Sequence, residues 1–314
     1  MFIQPRTHAP IAIILLFVVL ASGPANGQST ADARERELAD AFAAANAVAQ
    51  YGPSDVRLSD QAALRLPEKY VYVPPKEARQ LLYAMGNSPG EDVQGLILPG
   101  KGHELDGWFV VARWVPEGYV KDDDARDWDA DVMLEEIRKG TAQANRERRA
   151  RGIPEMEIIG WVEKPTYDPK NNRLVWSISS KDKGAPDGEQ LGINYNTFAL
   201  GREGFFSMNL VTDLNLIEER KPIAKKLLAS LTYDQGKRYA DFNASTDRVA
   251  AYGLAALVGV AAAKKLGFFA LIGVALVKFW KILAVAAVAV AGMFGKRLKS
   301  AKSTGTPPSS QPPA

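Results

Sequence analysis

Cysteine is absent from this chain of 314 residues. That excludes disulfides, thiolate metal sites and a cysteine nucleophile, and leaves no acceptor for the lipid of a bacterial lipoprotein. Any anchor must therefore be peptide. Histidine is nearly absent too, with His8 and His103 alone. Zinc sites usually combine several Cys or His ligands, and a serine triad would rest wholly on His103, a lone loop histidine beside Glu104 and Asp106. Gly100-Lys101-Gly102 lacks the Gly, Lys and Ser/Thr spacing of a phosphate loop. No cofactor and no metal is called for by these residues.

Acidic side chains are missing from one end. Residues 249–314 hold eight of the 39 Lys and Arg and none of the 36 Asp and Glu, and residues 1–27 add only Arg6. Residues 28–248 therefore carry 30 basic side chains against 36 acidic ones, a net of −6, and are tied to a tail of +8. Nucleic acid is a poor partner for an acidic domain, because phosphate binding needs concentrated Lys and Arg. The basic tail suits the anionic headgroups of a lipid bilayer.

What is present at the two ends is apolar. Arg6 precedes the run Ile11–Leu20 and then the small residues Ala21-Ser22-Gly23-Pro24-Ala25-Asn26-Gly27, the layout of a secretory signal over residues 1–27 with cleavage after Gly27. Ten apolar residues are few beside the roughly 20 that cross a bilayer. Residues 249–299 predict a transmembrane helical anchor of one or two spans, built from the blocks 249–263, 266–277 and 282–294 and closed by Lys296, Arg297 and Lys299. Ala255, Gly259, Ala263 and Gly267 recur every fourth residue, a face through which two membrane helices could self-associate. Residues 300–314 form a basic, Pro- and Ser-rich tail, expected to be disordered.

Between these ends the pattern predicts an α+β domain with a largely antiparallel sheet and packed helices. A helix is expected over residues 32–51, stopped by Gly52-Pro53, then a strand at Tyr70–Val73 leading through Pro75 into a short helix. Strands are expected at Val93–Leu98 and Gly107–Val115, a helix at Val132–Arg151, and hairpins pairing Met156–Val162 with Arg173–Ser179 and Gln190–Leu200 with Phe205–Val211. A last helix is placed from Pro222, with Leu231–Tyr233 extended after it. Gly236–Phe242 is expected to be a membrane-proximal connector, with Ser245 or Thr246 capping the first anchor helix.

The densest polar feature is a run of six aspartates from Asp122 to Asp131. It is not an EF-hand: Asp127, Asp129 and Asp131 fit the first ligand positions, but Val132 stands where glycine is needed and Arg138 where the closing glutamate belongs. Acidic residues before a helix that ends in Arg146, Arg148, Arg149 and Arg151 instead complement the macrodipole. Candidate binding residues are Asp122, Asp123, Asp124, Trp161, Tyr167, Asp168, Arg202 and Asp241, since aromatic and Arg side chains are common anchors of interfaces.

Five stretches occur in order: Gly118-Tyr119-Val120-Lys121-Asp122-Asp123-Asp124, Gly160–Asp168, Leu200-Gly201-Arg202-Glu203-Gly204, Gly236-Lys237-Arg238-Tyr239-Ala240-Asp241-Phe242, and Thr246-Asp247 before Val249–Gly253. Together they resemble the bacterial membrane-anchored family called domain of unknown function 2167, over roughly residues 50–299. The resemblance implies an envelope protein and carries over no catalytic residue. The expectation is a binding or scaffold module in the cytoplasmic membrane, its domain on the periplasmic side, engaging another envelope protein or a second copy of itself. The alternative is a hydrolase of envelope polymer using paired carboxylates from Asp122–Asp124 and Asp241.

Overall fold

The computed structural model describes residues 25–258, apart from residues 88, 101–106, 127, 151 and 187. The apolar run of the signal, His103, Gly259, Ala263, Gly267, the remainder of the expected anchor and the 300–314 tail lie outside the described residues. Among the described residues no helix is long and apolar enough to cross a membrane.

Eleven strands and four α-helices are described. In chain order they are α1 (Ala25–Val48), β1 (Gln50–Tyr51), β2 (Ser54–Leu58), β3 (Ala62–Leu66), β4 (Tyr70–Val73), α2 (Pro75–Ala84), β5 (Val93–Pro99), β6 (Phe109–Val115), α3 (Ala130–Ala150), β7 (Met156–Asp168), β8 (Arg173–Asp182), β9 (Gly192–Leu200), β10 (Phe205–Asp213), α4 (Ile217–Ala229) and β11 (Leu231–Tyr233). One sheet has the order β1-β4-β5-β6-β10-β9-β8-β7, with every neighbouring pair antiparallel. A smaller sheet has the order β11-β3-β2. The fold is α+β around a large antiparallel sheet.

Both faces of that sheet are covered, which is why β6 and β9 are buried at every position. On one face Tyr72, Ile97, Val110, Tyr195, Phe206, Met208 and Leu210 pack under α4 and the small sheet. On the other, α1 and α2 cover Val73, Leu96, Phe109, Val111 and Val211, while α3 covers Leu174, Trp176, Ile178, Phe198 and Phe205. Burying each such large side chain is worth about 1.5–3 kcal/mol.

Several expectations are corrected in detail. Strands β2 and β3 were not anticipated; each is five residues long, the two pair with each other as a short hairpin, and β3 takes its other neighbour from β11, far along the chain. β7 runs on to Asp168 rather than stopping at Val162, pairing with β8 along its length through register shifts at Ile158/Gly160, Trp161/Glu163 and Glu163/Thr166. α4 begins at Ile217, five residues before Pro222, which sits inside the helix. The amide that Pro222 lacks would have bonded to the carbonyl of exposed Glu218, where water can substitute.

The largest correction concerns the end of the domain. Residues expected to begin the anchor are packed into it: Val249 bridges Tyr119, residues Leu254–Leu257 form a 3-10 turn, and Leu254, Leu257 and Val258 are buried in the α3 cluster beside Val120 and Tyr239. Their apolar character is met by protein core. Neither Ser245 nor Thr246 caps an anchor helix; the Thr246 hydroxyl donates to Asp247 at 3.0 Å, within a turn.

Candidate functional site

Four of the five sequence motifs meet at one place, where the β9–β10 hairpin tip, the loop after β6 and the chain after β11 are stitched together. Arg202, at the hairpin tip, makes a two-pronged ion pair with Asp247, Nε to Oδ2 at 2.6 Å and Nη2 to Oδ1 at 2.8 Å. Its third nitrogen donates to the Gly236 carbonyl at 3.1 Å. Next to it, Glu203 takes Lys237 Nζ on both oxygens at 2.8 Å and accepts from Gln61 Nε2 at 3.0 Å. Two backbone bonds run alongside, Arg202 N–H to Lys237 O at 3.0 Å and Gly118 N–H to Glu203 O at 2.9 Å.

The Gly118 motif supplies the aromatic half of the junction. The Tyr119 ring stacks on Tyr239 at 4.3 Å and on Phe242 at 3.9 Å between centroids. The Tyr239 hydroxyl donates to the Val120 carbonyl at 2.9 Å. Tyr119 also donates its N–H to Arg248 O and accepts from Ala250 N–H, at 2.8 and 2.9 Å, so the chain from 248 to 250 lies along the loop as a short parallel strand pair. Gly118 has φ +93° and sits against the backbone of Arg248, so a side chain there would be strained and would push the two segments apart. Gly236–Phe242, expected to be a membrane-proximal connector, is an integral part of the domain, with Tyr239 buried.

The aspartates divide their work. Asp124 accepts from the N–H groups of Leu254 and Ala255, at 2.9 and 3.1 Å, and so caps the 3-10 turn that carries the chain toward residue 258. Gly253 lets that carboxylate approach, since an added Cβ would overlap Asp124 Oδ2. Asp122 accepts from the Tyr167 hydroxyl at 2.7 Å, while Asp123 is exposed in a 3-10 turn. Asp129 accepts from Asp131 and Val132 N–H and caps α3. Among the described residues no three carboxylate or imidazole groups converge as a metal site.

The remaining candidates stand elsewhere or serve the backbone. Trp161 donates its indole N–H to Ala130 O at 3.0 Å and meets Trp176 edge-on, so it fastens β7 to the start of α3. Asp168 accepts from Lys170 N–H and Asn171 Nδ2 within its own turn. Asp241 accepts from Arg238 N–H at 3.0 Å. Three members of the junction were missed as candidates: Glu203, Lys237 and Asp247. Each lies inside a motif that carried the family resemblance, but nothing in the order of residues pairs Arg202 with Asp247 or Glu203 with Lys237 before the fold brings them together.

Electrostatics follow the pairing. The hydrogen bonds from Arg202 first, and from Asn243 N–H second, hold the Asp247 carboxyl well below the usual carboxylate range. The hydrogen bond from Lys237 lowers the Glu203 carboxyl as well. A depressed folded pKa adds stability that is complete above the ordinary carboxylate value, about 4, and is lost as pH falls toward the folded value. The expected result is that Arg202→Ala destabilises the domain at pH 7 and that its difference from the wild type shrinks below about pH 3, as read by urea unfolding across pH. Asp124→Ala is expected to cost about 1 kcal/mol through loss of a cap. Hydrogen exchange should then accelerate at Leu254 and Ala255 while β8–β10 stay protected.

The family described as "Protein of unknown function (DUF2167)" matches residues 50–289. The chain belongs to this family. Its span in this DUF2167 protein includes every residue of the junction. No curated protein matches the chain. Solved structures that match the chain include the cyanobacterial PsbP (CyanoP) from Synechocystis sp. PCC 6803, 11% identical with a TM-score of 0.35, covering 59% of this chain and 91% of that one. The Ran-binding protein Mog1p of Saccharomyces cerevisiae is 9% identical with a TM-score of 0.31, covering 57% of this chain and 94% of that one. At such scores neither neighbour bears on function.

Proposed function

We propose that this DUF2167 protein is a membrane-anchored binding or scaffold module of the bacterial envelope, with its folded domain on the periplasmic side of the cytoplasmic membrane. The supporting observation is that the family motifs are spent on holding residues 243–258 against the domain, immediately before the acid-free apolar stretch. A junction of this kind holds residues 243–258 to the domain at several points, through side-chain and backbone bonds. The partner is another envelope protein or a second copy, the latter through Gly259, Ala263 and Gly267; Ala255, expected on the same face, instead lies in the 3-10 turn packed on the domain.

A hydrolase working through Asp122–Asp124 and Asp241 has less support. Asp124 is taken by two backbone amides, Asp241 by a third, and Asp122 by the Tyr167 hydroxyl. Fractionation of cells expressing the full chain and a chain ending at Val258 tests the reading. The full chain should stay in carbonate-washed membranes and be cut by protease added to spheroplasts, and the shorter chain should be released. Recovery of the full chain in the soluble fraction would overturn it. Crosslinking then separates an envelope partner kept by both chains from self-association lost with the stretch beyond 258.

A further inference from the structure

The place where the folded domain ends limits how the chain beyond it can meet a membrane. Val258, the last of the described residues, is 2% exposed, and Leu254 and Leu257 before it are 0% exposed, all three within the cluster that α3 covers. Polar groups fasten the same segment. The Leu254 N–H is shared between Asp124 and the Lys121 carbonyl, the Ala255 N–H goes to Asp124, and the Ala250 N–H goes to the Tyr119 carbonyl. Residues 249–258 are taken up by the domain, so they do not also cross a bilayer.

One arrangement compatible with the apolar blocks is a hairpin of two crossings that turns at Lys264-Lys265, its first arm formed by the block 249–263. With residues up to Val258 held in the domain, only Gly259–Ala263 remain of that arm. Counted to Lys264, that much chain reaches about 9 Å as a helix and at most about 20 Å fully extended, against a hydrocarbon core of about 30 Å. Lys264-Lys265 therefore stays on the domain's side. A hairpin turning instead at Lys278–Lys281 would carry the Lys264-Lys265 pair into lipid within its first arm, and would leave its second arm the short block 282–294. From Leu266 to Gly295 the chain has 30 residues, enough for one crossing of about 20 and too few for two. A single crossing over Lys278–Gly295 keeps Lys278 and Lys281 in its first turn, where long side chains reach the headgroups, with Trp280 at the interface beside them.

We infer that the chain crosses the membrane once, between Leu266 and Gly295, so that Lys264-Lys265 meets phospholipid headgroups on the domain's side and Lys296, Arg297, Lys299 and Lys302 meet anionic headgroups on the opposite, cytoplasmic face. This rests on the membrane-anchored reading and names the two surfaces that the anchor engages. No acidic side chain follows Asp247, so nothing within either basic cluster competes with lipid phosphate for its ammonium and guanidinium groups. A partner of the acidic domain and a partner of the basic tail then lie in different compartments.

The test uses the full chain in its membrane, and the absence of cysteine makes each introduced thiol unique. Lys170→Cys, in the exposed β7–β8 turn, marks the domain; Ala263→Cys marks the residues before the lysine pair, and Ser303→Cys marks the tail. Each variant is treated with a membrane-impermeant maleimide on intact spheroplasts and again after lysis, beside a carbonate wash. The expected result is that Lys170→Cys and Ala263→Cys react on intact spheroplasts and Ser303→Cys reacts only after lysis. Reaction of both Lys170→Cys and Ser303→Cys before lysis, in a chain that resists carbonate, means an even number of crossings and overturns the inference while the anchor stands. Reaction of Ala263→Cys only after lysis, with Lys170→Cys open before it, overturns it as well. Release of the chain by carbonate overturns the membrane-anchored reading itself, and the single crossing with it.

Discussion

Trp176→Ala is expected to unfold the domain more readily than any other single truncation, at a cost of about 3–5 kcal/mol. Trp176 is fully buried at the centre of the α3 cluster, edge-on to Trp161 at 6.0 Å and stacked on Phe198 at 6.3 Å. Its removal leaves a void facing Met133 and Ile137, which fix α3 to the sheet. The surrounding side chains come from β-strands in register, so they cannot collapse into the gap. Trp176→Phe should cost less than about 1.5 kcal/mol, because the indole N–H that it deletes has no bonding partner among the described residues. Chemical denaturation of both variants measures the difference, and equal losses would mean that the void is not what destabilises.

Gly204→Ala is expected to cost about 3 kcal/mol, the upper range for overpacking, although it adds a single methyl group. An added Cβ at Gly204 would overlap the Val115 carbonyl oxygen and crowd Pro116, and both are backbone, which cannot swing aside. Relief requires β10 to part from β6, starting at the pair Phe205 and Val115. The hairpin tip would move with it and carry Arg202 and Glu203 away from Asp247 and Lys237, so hydrogen exchange should rise through residues 236–250 as well. Gly160→Ala is the matched control: a Cβ there meets nothing within 4 Å, and the change should stay within about 0.5 kcal/mol. Similar losses in both variants would show that steric overlap at Gly204 is not the cause.

Much of the fold was legible because its elements are local. The β9–β10 hairpin announces itself as two apolar runs around Gly201-Arg202-Glu203-Gly204, and it was found to within two residues at either end. The helix following the aspartates was found because Met133, Ile137 and Thr141 share one face, and its cap is Asp129, inside the acidic cluster. What was not legible depended on partners distant in the chain. β3 takes its second neighbour from β11, far along the chain, and residues 249–258 carry the same apolar composition whether lipid or a protein core surrounds them. Composition reports the need for burial and is silent on where it is met.

The candidate site divides in the same way. Arg202 was singled out for its type and its place on a hairpin tip, and the structure finds it bonded to Asp247, so its charge is directed inward. Trp161 and Asp168 turned out to serve α3 and a turn. The sequence by itself determined the α+β class, the segregation of charge between residues 28–248 and 249–314, the absence of thiol chemistry, and membership of the family, because each depends on residue types and their order alone. Only the tertiary structure decided that four separated motifs form one junction and that the chain to Val258 belongs to the domain. Ion pairs, stacking and burial act through distances of a few ångströms, and those distances exist only once the sheet has brought remote segments together.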